Sequence, residues 1–377
     1  MKFQVERDAL ADAVSWAARG LPNRPPVPVL AGVLVEADAE GTLTLSAFDY
    51  EVSARVSVPA DVSEPGRVLV SGRLLSDIAR NLPGKPVDVA TEGTKVNVTC
   101  GATRFALLTM PVEEYPTLPT MPEASGHISG EVFSQAVAQV TVAAGRDDTL
   151  PILTGVRLEI EGDTITLLAT DRYRLAQREL TWSPEATDAA GVALIPARTL
   201  SETARALGST ASVELALGRS GAGDGLVGLE SGQRRTTSRL LDGEYPKVSS
   251  IFPSTSDTDA VVDTAMLTEA VKRVALVAER NTPVRLRFTE DQLVIEAGQG
   301  DDAQASEAIE AHLQGEEIEI AFNPHFLLDG LSVIGTSYAR LSFTQPSKPA
   351  VLRGQSELDG SADDSYRYVL MPVRLAG

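Results

Sequence analysis

The sequence of 377 residues holds a single cysteine, Cys100. One thiol excludes an internal disulfide and any multi-cysteine metal site. Histidines are almost as scarce: His127, His312 and His325 lie far apart and have no metal-ligand spacing. The glycines at 221, 223, 225 and 228 do not form a dinucleotide fingerprint, and no Lys-Ser or Lys-Thr follows a glycine loop. No apolar run reaches the roughly 18 residues that span a bilayer. The opening MKFQVERDAL has no apolar stretch suited to a secretion signal, so a cytoplasmic location without membrane contact is expected. Positive charge is also short, with 33 Lys and Arg against 52 Asp and Glu, a net −19. That excludes a surface that coats nucleic acid everywhere, but not one local basic face.

What remains is an ordinary soluble composition, 43% hydrophobic and 23% charged. Its length suits two or three domains of roughly 100–200 residues. Catalytic groups do not assemble. Cys100 alternates with Val96 and Val98, the pattern of a buried small side chain. Asp147-Asp148 and Asp363-Asp364 fall in predicted loops, where they are either solvated charge or a weak metal site. Nothing sets an acid, a base and a nucleophile together, so no catalytic residue, metal or cofactor is assigned.

Internal repetition decides the architecture. VPVLAGVLVE (27–36) is echoed by LPILTGVRLE (150–159), and GRLLSDIARNL (72–82) by ARTLSETARAL (197–207). Glu114-Tyr115-Pro116 recurs as Glu244-Tyr245-Pro246. The three offsets are 123, 125 and 130 residues. NPHFLLDGLSVI (323–334) stands where a third unit should place its second helix. Such a period is too long for a solenoid, so three whole domains of one fold are expected: 1–122, 123–252 and 253–377. Pro-rich 110–126 and Ser/Thr-rich 246–260 read as linkers, and 218–225 as a hairpin tip.

Each unit opens on an amphipathic helix: Leu10, Val14 and Ala17, then Phe133, Val137 and Val140, then Leu267, Val271 and Val274. Asp8, Ser134 and Thr268 are candidate helix starts. Period-two strands follow, with Val52, Ala54, Val56 and Val58 alternating with polar residues, as do Val213, Leu215 and Leu217, and Ile318, Ile320 and Phe322. Each domain therefore reads as α+β, with two helices on one face of antiparallel sheets.

The helices carry a charge bias of their own. Arg7, Arg19, Arg73, Arg80, Arg146, Arg198, Arg205, Lys272, Arg273 and Arg280 stand against Asp8, Asp12, Asp77, Glu202, Glu269, Glu279 and Asp329, an excess of three cations. A basic layer in an acidic body suits weak, sequence-blind phosphate contact. Arginine's general preference for helix surfaces accounts for it equally well.

Several segments together resemble the bacterial β sliding clamp family, the processivity subunit of DNA polymerase III. They are the opening MKFQVERDAL, PNRPPVPVLAGVLVE (22–36), LLATDRYRLAQREL (167–180), LLDGEYP (240–246), the terminal YVLMPVRL (368–375) and the tripled domain. The resemblance spans the chain. It implies a ring-shaped homodimer of two three-domain chains, with helices around the hole, sheets outside and duplex DNA passing through without base readout. It implies no enzymatic activity. Expected partners are the clamp loader, the α subunit of the replicative polymerase, and other polymerases and repair proteins that insert a clamp-binding peptide. A repeat scaffold that never meets DNA and a metal enzyme using the Asp pairs are the alternatives.

The resemblance also implies sites. Arg24, Arg73 and Arg198 would face DNA. Arg104 and Phe105 would meet Leu276, Asp301, Asp302 and Glu307 of a second copy, although alternation with Leu107 equally lets Phe105 pack inside its own domain. A partner-peptide groove would take Leu153, Thr170, Arg172, Tyr173, Arg174, Leu175, Pro246, Ile251, Val369, Leu370, Met371, Pro372, Val373, Arg374 and Leu375. This chain departs from the family in places. Tyr173 stands where many members have His, Arg172 replaces a small or polar residue, and Ser250 and Ala102 stand where some carry Arg.

Overall fold

The computed structural model describes residues 1–22, 24–218, 225–253, 255–278, 282–298 and 303–374. Six α-helices appear among them: α1 (Arg7–Ala17), α2 (Gly72–Asn81), α3 (Gly130–Thr141), α4 (Ala197–Leu207), α5 (Thr264–Val274) and α6 (Pro324–Val333). They pack in pairs, α1 with α2, α3 with α4 and α5 with α6. Every apolar position expected to face the core from the first helix of each pair is buried. The helix starts lie earlier than the sequence suggests. The N-caps are Glu6, Ser129 and Asp263, so Asp8, Ser134 and Thr268 sit inside their helices. Asp263 accepts from Met266 N at 2.8 Å, and its own strand register fixes that position. A hydroxyl or carboxylate near a helix start is only a local signal, and the strand leading into the helix overrides it.

Two compact units form: Met1–Ile128 with Thr210–Leu240, and Ser129–Ser209 with Leu241–Gly377. The division cuts through the second sequence repeat because sheets continue from one repeat into the next. In the first unit, Arg234–Arg239 pairs antiparallel with Val52–Pro59, from Arg234 opposite Val56 to Ser238 opposite Val52. In the second, Arg174–Thr181 pairs with Tyr366–Leu370, from Arg174 opposite Leu370 to Arg178 opposite Tyr366. Edge strands that would otherwise expose unpaired N–H and C=O groups are joined this way. A second sheet of the second unit has four strands, in the order Ala305–Glu310, Gln292–Ala297, Val284–Phe288 and Ile318–Phe322.

The repeated Glu-Tyr-Pro segments have a structural reason. Phe48 N donates to the Tyr115 hydroxyl at 2.8 Å, and Thr170 N donates to the Tyr245 hydroxyl at 2.9 Å. Each linker is thus pinned to the end of a strand. Burial pushes both phenols up to about 12. The strand ends match as well. Asp49 Oδ1 accepts from Glu51 N and Val52 N, and Asp171 Oδ1 accepts from Tyr173 N and Arg174 N. Tyr50 (φ 76°) and Arg172 (φ 80°) occupy the same left-handed position in the two turns. Non-glycine residues there carry backbone strain of about 1 kcal/mol or more. The tip at 219–224, including Gly221 and Gly223, lies outside the described residues.

Candidate functional site

The turn after strand Thr164–Thr170 builds one wall of an open cavity of about 500 Å³ in the second unit. Thr170 Oγ1 donates to Arg174 O at 2.6 Å and accepts from Arg172 N at 3.1 Å, which closes the turn. Arg172, forced left-handed, lays its guanidinium 5.9 Å from the Tyr173 ring. Arg174 turns inward, with only 4% of its side chain exposed. Its Nε donates to Asp171 at 2.9 Å, its Nη1 bonds Asp329 on α6, and its guanidinium lies 4.4 Å over Phe326. Tyr173 also stacks on Phe326, centroids 6.1 Å apart. Burial pulls the Arg174 charge toward neutrality, but Tyr368, Asp329 and Asp171 more than offset that and raise it. The guanidinium therefore stays charged and holds a strand of the second repeat to a helix of the third.

The opposite wall is the segment after α3. Gly145 N donates to Leu153 O at 2.7 Å, and Leu150 and Leu153 supply apolar surface. Leu150 is 37% exposed, so it offers that surface to solvent. Asp147 accepts from Thr149 Oγ1 and N, and those bonds hold its carboxyl below the usual range, with Arg172 adding to the effect. Asp147 of the first acidic pair is thus spent on a turn. The second is spent on arginines: Asp363 on Arg178 and Asp364 on Arg353. Among the described residues no group of three or more His, Cys, Asp or Glu could hold a metal.

The expected groove residues divide. Leu153, Arg172, Tyr173 and Arg174 line the cavity. Leu175 and Val369 join Val248 and Val351 in a buried cluster, with Ile251 and Phe252 packed against it. Thr170 is buried in the turn, Leu370 is buried in the core, and Pro246 and Arg374 are exposed. Met371, Pro372 and Val373 are half-buried, tied by Met371 N to Tyr173 O and Val373 N to Ala321 O. Leu375 lies outside the described residues. Sequence reading missed Arg146, Leu150, Asp171, His325, Phe326 and Asp329 of the lining. Arg146, a helix cation by its sequence position, follows the end of α3. The motif Ala-Thr-Asp, matching Ala-Phe-Asp at 47–49, was the available signal for Asp171.

The helix cations also divide. Arg7 donates to Leu82 O and Arg80 O and pairs with Asp8, so it fastens the first helix pair. Arg24 is exposed in its loop, and Arg73 reaches back to Pro22 O at 3.4 Å. Arg73 and Arg198 each occupy the second residue of their helices. A cation there opposes the helix dipole. Arg198 is 76% exposed and pairs with Glu202 at 3.0 Å. Arg280 lies outside the described residues.

At the edge of the first unit, Arg104 is exposed and Phe105 is 38% exposed, while Leu107 is buried. Leu276 is 83% exposed. Glu307 is already engaged within its own chain, by Arg273 Nε at 2.9 Å and Nη2 at 2.6 Å, bonds that lower its pKa. Asp301 and Asp302 lie outside the described residues.

Three family models cover the chain in order. They are the N-terminal domain of the DNA polymerase III beta subunit over residues 1–119, the central domain over 127–247 and the C-terminal domain over 249–374. The beta sliding clamp of Streptomyces coelicolor is 61% identical over 377 residues, covering all of both chains. That of Micrococcus luteus is 58% identical over 314 residues, 83% of this chain and all of that one. A DNA polymerase sliding clamp from Bacillus subtilis superposes with a TM-score of 0.91 at 27% identity over the whole of both chains. One from Pseudomonas aeruginosa, bound to griselimycin, gives 0.91 at 30% identity with the same coverage.

Proposed function

The chain belongs to the DNA polymerase III beta subunit family, the bacterial sliding clamps, and we propose that two copies close head to tail into a ring around duplex DNA. Its function is that of a DNA polymerase processivity factor: it tethers and does not catalyse. The observation that carries this is the ordered run of all three clamp domains along the chain. As a family, clamps work with DNA, a loader and polymerases. For this chain the proposed partners extend to the polymerase α subunit and to other replication and repair proteins, in the cytoplasm. The proposed domain limits are 1–122, 123–252 and 253–377.

The physics of each proposed site is simple. Linkage around DNA replaces affinity, so contacts to phosphate need only be weak and leave the ring free to slide. Arg24, Arg73 and Arg198 are the proposed contacts, and the position of the last two at helix starts, where a cation opposes the helix dipole, supports that reading. A head-to-tail contact of unlike surfaces closes or makes a filament. Exposed Phe105 and Leu276 supply the apolar part of that contact, and Arg104 the charge. The acidic partner of Arg104 then comes from Asp301 and Asp302 ahead of Glu307, which Arg273 already neutralises. The peptide groove is the cavity beside Tyr173 and Phe326, continued by the half-buried C-terminal segment from Met371. Its volume lies within the range of ligand pockets, roughly 300–1,000 Å³. Leu150, Leu153 and the stacked rings suit the Leu and Phe anchors of a short peptide.

Primer extension on a long single-stranded template tests the function. With a loader and the polymerase, the clamp should lengthen products per binding event. Products of unchanged length would overturn the assignment.

A further inference from the structure

A second cavity, about 300 Å³, opens on the other face of the third repeat's sheet, away from α6, where Phe252, Pro253, Thr255 and Ser256 line it. Arg353 and Arg367 line it, and a third arginine stands beside them on the sheet. Arg340 lies directly opposite Arg353 on the neighbouring strand. Continuing the register one step past Leu352 opposite Tyr368 brings Arg367 beside Arg353 on the other side. Like charges directly opposite one another destabilise a sheet, so three in a row call for a counter-charge. The chain supplies it only in part. Arg353 Nη1 pairs with Asp364 at 2.6 Å, but that carboxylate is 79% exposed. Arg367 is 3.9 Å from Glu179, beyond hydrogen-bond length, and is held instead by the Phe252 ring at 4.6 Å. The Nε atoms of Arg340 and Arg353 are buried without a partner.

Other features give this cavity the form of a receptor. Ser342 Oγ accepts from Arg353 Nη2 at 2.9 Å and fixes the plane of that guanidinium. Thr344, Thr255 and Ser256 add hydroxyls around it. The wall holds two guanidinium groups, one carboxylate and several neutral hydroxyl donors. Asp259, opposite Ser342, is engaged through Oδ2 by Ser256 Oγ at 3.3 Å.

We infer that this cavity binds a tetrahedral oxyanion of the phosphate class, free or carried on a small molecule. Paired guanidinium forks match phosphate oxygens bidentately, and a lysine pair would not. Asp364, on an exposed turn, is the internal competitor: it occupies Arg353 when the site is empty and swings to solvent when the oxyanion enters. The bound ion would also tie the segment carrying Phe252 to the sheet.

Calorimetric titration of the full chain in low-salt chloride buffer, with inorganic phosphate, pyrophosphate and ATP in separate runs, tests this. One saturable site per chain is expected. Binding of phosphate itself assigns the free ion, and binding of ATP without phosphate assigns the carried form. Arg367→Gln should weaken binding about tenfold or more, the loss expected for a charge-assisted hydrogen bond. Asp364→Asn should tighten it, a change of opposite sign that loss of a merely structural ion pair does not produce. Absence of binding by all three ligands, or affinity indifferent to both substitutions, would overturn the inference.

Discussion

Replacing Arg174 with alanine should damage the second unit and the peptide groove together. The side chain is 4% exposed and carries bonds to Asp171 and Asp329, which are 15% and 36% exposed. Removing one partner of a buried pair costs about 3–5 kcal/mol, chiefly because the other charge is left behind. Two features place Arg174 at the low end of that range. Asp171 Oδ1 keeps its two backbone donors, and Asp329 can turn to water. The lost contact with the Phe326 ring adds about 1 kcal/mol. A destabilisation of about 3–4 kcal/mol follows, equal to a urea midpoint lower by about 1 M at a slope of about 3 kcal/mol per molar. The two tryptophans make the assay local. Trp16 belongs to the first unit, and Trp182, which donates to Gly162 O, belongs to the second. Fluorescence in a Trp16→Phe background should therefore follow the second unit alone. Affinity for a peptide with glutamine, leucine and phenylalanine anchors should fall about tenfold, since the ring wall is no longer held; that is ~1.4 kcal/mol. Arg174→Lys should be intermediate, keeping charge but losing the fork. A normal urea midpoint with normal peptide affinity in Arg174→Ala would refute the reasoning.

Three further outcomes are expected. Phe105→Ala with Leu276→Ala should shift the particle from dimer to monomer in native mass spectrometry, and a folded dimeric double variant would dismiss the proposed interface. Arg24→Ala with Arg73→Ala should weaken DNA affinity evenly across sequences and flatten its salt dependence, measured by anisotropy between low and high salt; an unchanged slope would remove both residues from the DNA surface. Tyr115 and Tyr245, pushed up to about 12 from an ordinary 10, favour the folded state while protonated. Their contribution is complete below pH 10 and is lost as pH rises toward 12. Tyrosinate absorbance should lag in that window and rise with the loss of circular dichroism, and Tyr115→Phe with Tyr245→Phe should remove the lag they cause. Complete titration near pH 10 without unfolding would contradict the linker anchors.

The repeat was readable because it is carried by residues the fold needs. Buried helix positions such as Leu10, Phe133 and Leu267 keep their spacing, and the linker tyrosines recur because each pins a chain crossing to a strand end. Periodicity sees such residues. It did not see where the helices begin, since Ser129 and Asp263 are set by the strands that precede them. Compactness was less readable than repetition. Strand Arg234–Arg239 binds to Val52–Pro59, more than 170 residues away in sequence, and no local signal announces an edge pairing. The same limit applies to the cavity. Tyr173 and Arg174 came from resemblance, whereas Phe326 and Asp329 lie on a helix whose pattern speaks only of its buried side. Glu307 was expected to face a second chain, but Arg273 on the neighbouring helix α5 takes it first. Charge counted along a sequence does not say which partner is nearest.

The central claim is topological, and retention on DNA measures it most directly. Labelled clamp is loaded onto nicked circular DNA, isolated by gel filtration at high salt, and followed before and after a single restriction cut. It should remain on the circle for many minutes, indifferent to salt, and leave within the dead time once the circle is opened. Equal retention on circular and linear DNA, or loss from both as salt rises, would mean that contact rather than encirclement holds it.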